Sequence, residues 1–130
     1  MADPIRKRTQ DDLVPAEGAA TPGLNRRVAF AEEGHWFGHV EAEPRTMSGW
    51  HHHGENVTLG YVLKGEISLE FGPGGSDSVT VGPGEFFEVP KHTVHREGNA
   101  TDQPGEVVIV RAGQGPVVFP VEGPEPVSSS

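Results

Sequence analysis

The 130-residue chain contains no cysteine. That excludes a disulfide framework and any thiolate metal site, so a metal here must be held by nitrogen and oxygen ligands. Positive charge is also scarce: 10 Lys and Arg stand against 19 Asp and Glu, a formal net charge of −9. Nucleic-acid phosphates are bound by clustered Lys and Arg, and the single basic cluster, Arg6-Lys7-Arg8, is closely followed by acidic residues. A nucleic-acid partner is therefore not expected. No apolar run approaches the length of a membrane span, and no signal-peptide core follows Met1. The expectation is a cytoplasmic protein without a membrane partner. Apolar residues make up only 34% of the chain, enough for one modest core and not for two.

What the chain has in quantity is punctuation, with 18 Gly and 12 Pro. This suits many short strands joined by tight turns. Apolar–polar alternation predicts strands over 28–30, 35–43, 58–64, 66–71, 77–81, 85–89, 93–97 and 106–111, with a further short one in 117–121. Gly72-Pro73-Gly74-Gly75 reads as a hairpin tip and Gly82-Pro83-Gly84 as a turn. With no helix signal, the fold class is all-β, a double-sheet jelly roll or small barrel. Residues 1–23 lack periodicity and read as a flexible leader or an arm against a partner subunit. The barrel is expected over 24–121, and 122–130 form a frayed Pro- and Ser-rich tail.

The stretch from Trp50 to Gly65 organises the rest. Read as a strand, it places His51 and His53 on one face and His52 on the other, because side chains alternate. A third histidine, His95, lies in the stretch from Gly84 to Asn99. Neutral imidazole is the commonest protein ligand for Zn, Fe, Mn, Ni and Cu ions. Three of them can occupy one face of an octahedron and leave the other positions open, as catalysis requires.

These two stretches resemble the paired motifs of the cupin superfamily. His51, His53 and Gly65 fill the first motif, and Gly84, Pro90, His95 and Asn99 fill the second. The resemblance implies a double-stranded β-helix, or jelly-roll barrel, as a small single-domain cupin, with His51, His53 and His95 as metal ligands. Two positions depart from the pattern: the usual glutamate falls on Thr58, and the glycine after the proline falls on His92. A neutral Thr58 would leave a divalent ion uncompensated in charge. Such a site favours an anionic, chelating small-molecule substrate.

The family implies Fe or Mn first, with Ni, Zn or Cu as alternatives, and a non-haem dioxygenase or oxygenase as the leading activity. The alternatives are a redox-neutral isomerase, lyase or cyclase, and a non-catalytic small-ligand-binding cupin. Glu97 shares strand parity with His95 and is expected inside as a partner or base, and together with Thr58 it forms the catalytic pair. Glu55 is expected to face water, His92 to sit at the mouth, His39 to lie on an exposed face, and Trp50 to be a packing residue. Gly60 would leave space near the metal. Tyr61, Val62 and Leu63 read as core or subunit-interface residues, in keeping with a homodimer, the usual family state.

Overall fold

A computed structural model describes residues 4–16 and 21–124. In chain order the strands are β1 (Val14–Pro15), β2 (Leu24–Glu32), β3 (His35–Ala42), β4 (Thr46–Met47), β5 (His51–His52) and β6 (Val57–Lys64). They continue with β7 (Ile67–Phe71), β8 (Asp77–Val81), β9 (Phe86–Val89), β10 (His95–Asn99), β11 (Gly105–Ala112) and β12 (Phe119–Pro120). Among the described residues the only helical pieces are two three-residue 3-10 turns, at Gln10–Asp12 and Pro73–Gly75. The chain is all-β, as its glycine and proline punctuation predicts.

Two antiparallel sheets form a double-stranded β-helix. One has the order β1-β2-β3-β11-β6-β9 and the other β12-β5-β10-β7-β8, with β4 also paired to β10. Their inner faces meet over a core of Leu24, Val40, Ala42, Val62, Ile67, Leu69, Val81, Val89, Val107 and Ile109. The burial of β11 alternates strictly, with Gly105, Val107, Ile109 and Arg111 inward. That period of two is the pleat at work, and it carries a charged residue into the same row as the core.

Gly65 makes the turn from β6 to β7 at φ 72°, a left-handed conformation that glycine adopts without penalty. A side chain there would also meet the backbone of Pro104 and Gly105. Gly60 serves a different purpose from the one its sequence position suggests. It pairs with Phe87 of β9, and a Cβ on Gly60 would stand 2.3 Å from the Phe87 ring. The gap is filled by an aromatic side chain and is not room for a ligand.

The N-terminal segment expected as a leader contains structure. Val14 and Pro15 pair with Val28 and Arg27 of β2, Arg6 binds Glu32 at 2.7 Å, and Arg8 donates to the Ala29 carbonyl. Residues 1–3 and 17–20, and 125–130 of the expected C-terminal tail, lie outside the described residues. No helix among the described residues is long and apolar enough to cross a membrane.

Candidate metal centre

The site forms where β5 and β10 run side by side. His51 lies directly opposite His95 across this antiparallel pair, with ring centroids 4.4 Å apart. His53 follows just beyond the end of β5, and its ring centroid is 4.9 Å from that of His51 and 5.0 Å from that of His95. The C-terminal strand β12 covers the outer side of β5, pairing Phe119 with His52 and Pro120 with His51. All three expected ligands are therefore brought together and buried.

Each imidazole is fixed through Nδ1. His51 Nδ1 donates to the Gly49 carbonyl at 2.8 Å, His53 Nδ1 to that of Val117 at 2.5 Å, and His95 Nδ1 to that of Thr93 at 2.8 Å. A proton on Nδ1 leaves Nε2 as the lone-pair nitrogen. Nε2 of His51 and of His53 has no hydrogen-bond partner, although both atoms are buried. Buried polar atoms without partners are costly, and imidazoles anchored by backbone carbonyls through the other nitrogen are the usual arrangement of metal-bound histidines.

Glu97 completes the group. Its Oε2 is 3.0 Å from His95 Nε2, and its Oε1 is 3.6 Å from His51 Nε2. One ligand atom from each of His51, His53, His95 and Glu97 lies within 4.8 Å of the others. Two donors on opposite sides of an ion bound at about 2.1 Å are about 4.2 Å apart, so small side-chain adjustments bring this set onto one ion. The donors fit a divalent metal. The expectation drawn from Thr58 is modified: Glu97 of β10 offers one negative charge near the donors, half of what a divalent ion carries, so an anionic ligand would still be favoured.

The electrostatics follow from burial and from this carboxylate. Burial and the nearby Arg111 charge push His53 down to about 3, so it is neutral. For His95 burial also acts downward, but the hydrogen bond and charge of Glu97 outweigh it and the net shift is upward. Burial raises the Glu97 carboxyl, and the imidazoles of His51 and His95 more than reverse this, holding it well below the usual carboxylate range. The upward shift of His95 and the downward shift of Glu97 both come from the contact between Nε2 and Oε2.

Thr58 is buried and lines the chamber that Glu97 also lines, but it is not one of the clustered donors. His52 points away from the cluster and stacks on Phe119, with centroids 4.8 Å apart. Trp50 is a packing residue, with the Arg96 guanidinium over its ring at 4.6 Å. Glu55 is exposed and pairs with His92 at 2.7 Å. His92 takes φ 58°, which explains why glycine is usual at that place in the motif. The expectation of an exposed His39 is corrected: it is 7% exposed and engages Glu106 at 3.2 Å.

The residue that sequence reasoning missed is Arg111. It is buried beside the chamber, with its guanidinium 5.3 Å from the Trp36 ring centroid. The signal was present in the inward parity of Val107, Ile109 and Arg111, but a charged residue at a strand end reads most simply as solvated.

The comparisons with known proteins agree with this architecture. The sequence profile of the cupin domain matches residues 38–111, more than half the chain. No curated protein matches it in sequence. The structure is similar to a conserved protein with a double-stranded β-helix domain from Klebsiella pneumoniae, at TM-score 0.72 and 18% identity, covering 92% of this chain and 99% of that one. It is similar to the polyketide cyclase RemF from Streptomyces resistomycificus, at TM-score 0.74 and 20% identity, covering 90% and 85%. It is also similar to oxalate decarboxylase from Bacillus subtilis, at TM-score 0.66 and 18% identity, covering 82% of this chain but 30% of that one. At these identities the likeness is one of fold. With the matched domain, the two-sheet barrel and the paired histidine motifs in agreement, the chain belongs to the cupin family.

Proposed function

We propose that this cupin is a metal-dependent enzyme acting on a small anionic organic molecule at the cluster of His51, His53, His95 and Glu97. The observation that carries the reading is that Nε2 of His51 and of His53 is buried without a hydrogen bond, each on a ring anchored through Nδ1. A divalent ion there, of the Fe, Mn, Ni, Zn or Cu kind, supplies Lewis-acid polarisation of a substrate oxygen or, for a redox metal, oxygen chemistry. The chain's own contribution is to aim the imidazoles through their Nδ1 anchors, to keep His53 neutral, and to set the Glu97 charge beside them.

Glu97 favours redox-neutral chemistry by an isomerase, lyase or cyclase. A carboxylate within 3.0 Å of an imidazole gives a substrate proton a place to go and a partner to share it. The fold likeness to a polyketide cyclase and an oxalate decarboxylase is in keeping with this. The dioxygenase reading rests on the same three imidazoles, a donor type that suits iron, and dioxygen uptake on adding substrate separates the two. A non-catalytic binding cupin is distinguished by Thr58→Glu, which would then tighten metal without creating activity.

The test is elemental analysis of protein purified without chelator. About one metal per chain is expected, lost in His51→Ala and in His95→Ala while the far-ultraviolet spectrum stays that of a β-protein. Full metal content in either variant would remove the ligand assignment.

We further propose that the chain forms a homodimer through the outer face of the β3-β11-β6-β9 region. Phe37, Leu59, Leu63 and Phe86 are exposed there, Phe86 at 77%.

A further inference from the structure

Arg111 and Thr58 are Cα partners across the β11–β6 pair, both on the inward face. Both are buried with an unsatisfied polar atom, Nε of Arg111 and Oγ1 of Thr58. No carboxylate of the described residues forms an ion pair with Arg111. Glu97 acts on the guanidinium only through space, and a buried guanidinium with no direct ion pair is costly. Two such donors side by side, on adjacent strands, mark a place where an acceptor is missing.

The space beside them has the right size and charge. Arg111, Thr58 and Glu97 line one inner chamber of about 30 Å³, which otherwise is mostly apolar. That is room for about two water-sized groups, the size of a carboxylate head. The charged side chains on its wall are Arg26, Arg111 and Glu97, and Glu97 is already engaged by His95. The Trp36 ring centroid lies 5.3 Å from the guanidinium carbon, and a cleft of about 670 Å³ is lined by Trp36, Arg26 and Arg111.

We propose that Arg111 and Thr58 form the seat for the carboxylate end of a small organic acid whose other end reaches the histidine cluster. A guanidinium presents parallel N–H groups that match a planar carboxylate, and the Thr58 hydroxyl supplies a further donor. The far end of the ligand rests on the metal-dependent reading given above, whereas the carboxylate seat does not. The seat forms in the metal-free chain as well.

The experiment is an acetate titration of the ¹⁵N-labelled full chain, metal-free and zinc-loaded, following the Arg111 Nε–H resonance, assigned by its loss in Arg111→Met. Acetate is expected to move that resonance saturably in both forms. Arg111→Met should weaken acetate roughly tenfold to a hundredfold, and Thr58→Val by roughly tenfold, the effects of losing a charged and a neutral hydrogen bond. Zinc per chain should be unchanged in both variants. Should Arg111→Met fail to fold, Thr58→Val decides by the same readout. Acetate binding that is equally tight in the variants overturns the seat, as does a site that takes inorganic phosphate and ignores acetate. A wild-type chain that refuses zinc yet still shows the acetate shift would sink the metal reading and leave the seat standing. A chain that takes zinc without the acetate shift would do the reverse.

Discussion

Glu97 reaches Nε2 of His95 at 3.0 Å from two positions along the same strand. Both residues face inward because strand side chains repeat every two residues, so the carboxylate and the imidazole were bound to share a side once the register was set. Ser48 Oγ accepts from the Glu97 backbone N–H at 3.0 Å, tying that position to the loop before β5. Glu97→Gln keeps the shape and removes the charge. Metal affinity is expected to fall about 10- to 100-fold, the range for loss of such supporting carboxylates, as read by competition with a chromogenic chelator. Unchanged affinity would mean that Glu97 does not balance the ion.

Metal uptake should depend on pH through His95. Its pKa is raised, after Glu97 overcomes the effect of burial, so a proton must leave before Nε2 can act as a ligand. Affinity therefore rises with pH through the His95 titration, and binding releases protons into a weakly buffered solution. His53, pushed down to about 3, is already neutral and adds nothing to this slope. In Glu97→Gln the partner charge is gone, and both the slope and the proton release should shrink.

The stability of the metal-free chain carries the opposite signs of these two histidines. His95, with its raised pKa, contributes stability that is present below about 6.5 and lost as pH rises through its folded value. His53 is harder to protonate folded than unfolded, so it costs stability as pH falls from about 6.5 toward about 3. Urea midpoints between neutral pH and pH 4 should decline in the wild type. The decline should be smaller in His53→Gln, and an identical decline would refute the assignment.

Asn99 is fully buried and uses its whole bonding capacity. It donates to the carbonyls of Ala42 and Gln103 at 3.2 and 2.6 Å and accepts from the N–H and hydroxyl of Thr101 at 2.9 and 2.7 Å. Asn99→Ala should cost on the order of 3 kcal/mol, since it orphans several buried groups at once. Metal content in the folded fraction should stay unchanged. A loss below 1 kcal/mol in urea unfolding would show that water replaces the amide.

The exposed apolar face predicts the assembly. Phe86 packs its ring 4.6 Å from that of Tyr61 and is otherwise uncovered. Phe86→Glu should convert a dimer to a monomer in light scattering, with the β-spectrum retained. A wild type that is monomeric at high concentration would end this reading.

Much of the site was legible in the sequence. The spacing of His51 and His53, and the place of His95 in the second motif, singled out the three histidines that cluster, because local spacing and strand parity decide which side chains share a face. Glu97 was legible as an inward residue, but its charge-balancing position was not. Distance from His51 on another strand is a property of register, and register comes from pairing His95 with His51 and with Phe71. Gly60 shows the reverse error: its inward parity was right, but whether the space beside it stays open depended on Phe87, 27 residues later, which fills it.

By itself the sequence determined the fold class, through glycine and proline punctuation and alternating strands, and its motif spacing singled out the three histidines that cluster in the fold. Both are local signals, written within a dozen residues. The tertiary structure alone decided that the Glu97 carboxylate of β10 stands beside the histidines, where Thr58 of β6 offers none. It also decided that Arg111 stands unpaired opposite Thr58. Those relations join residues 39 and 53 positions apart, and only the closing of two sheets over one core brings such distant residues within a few ångströms.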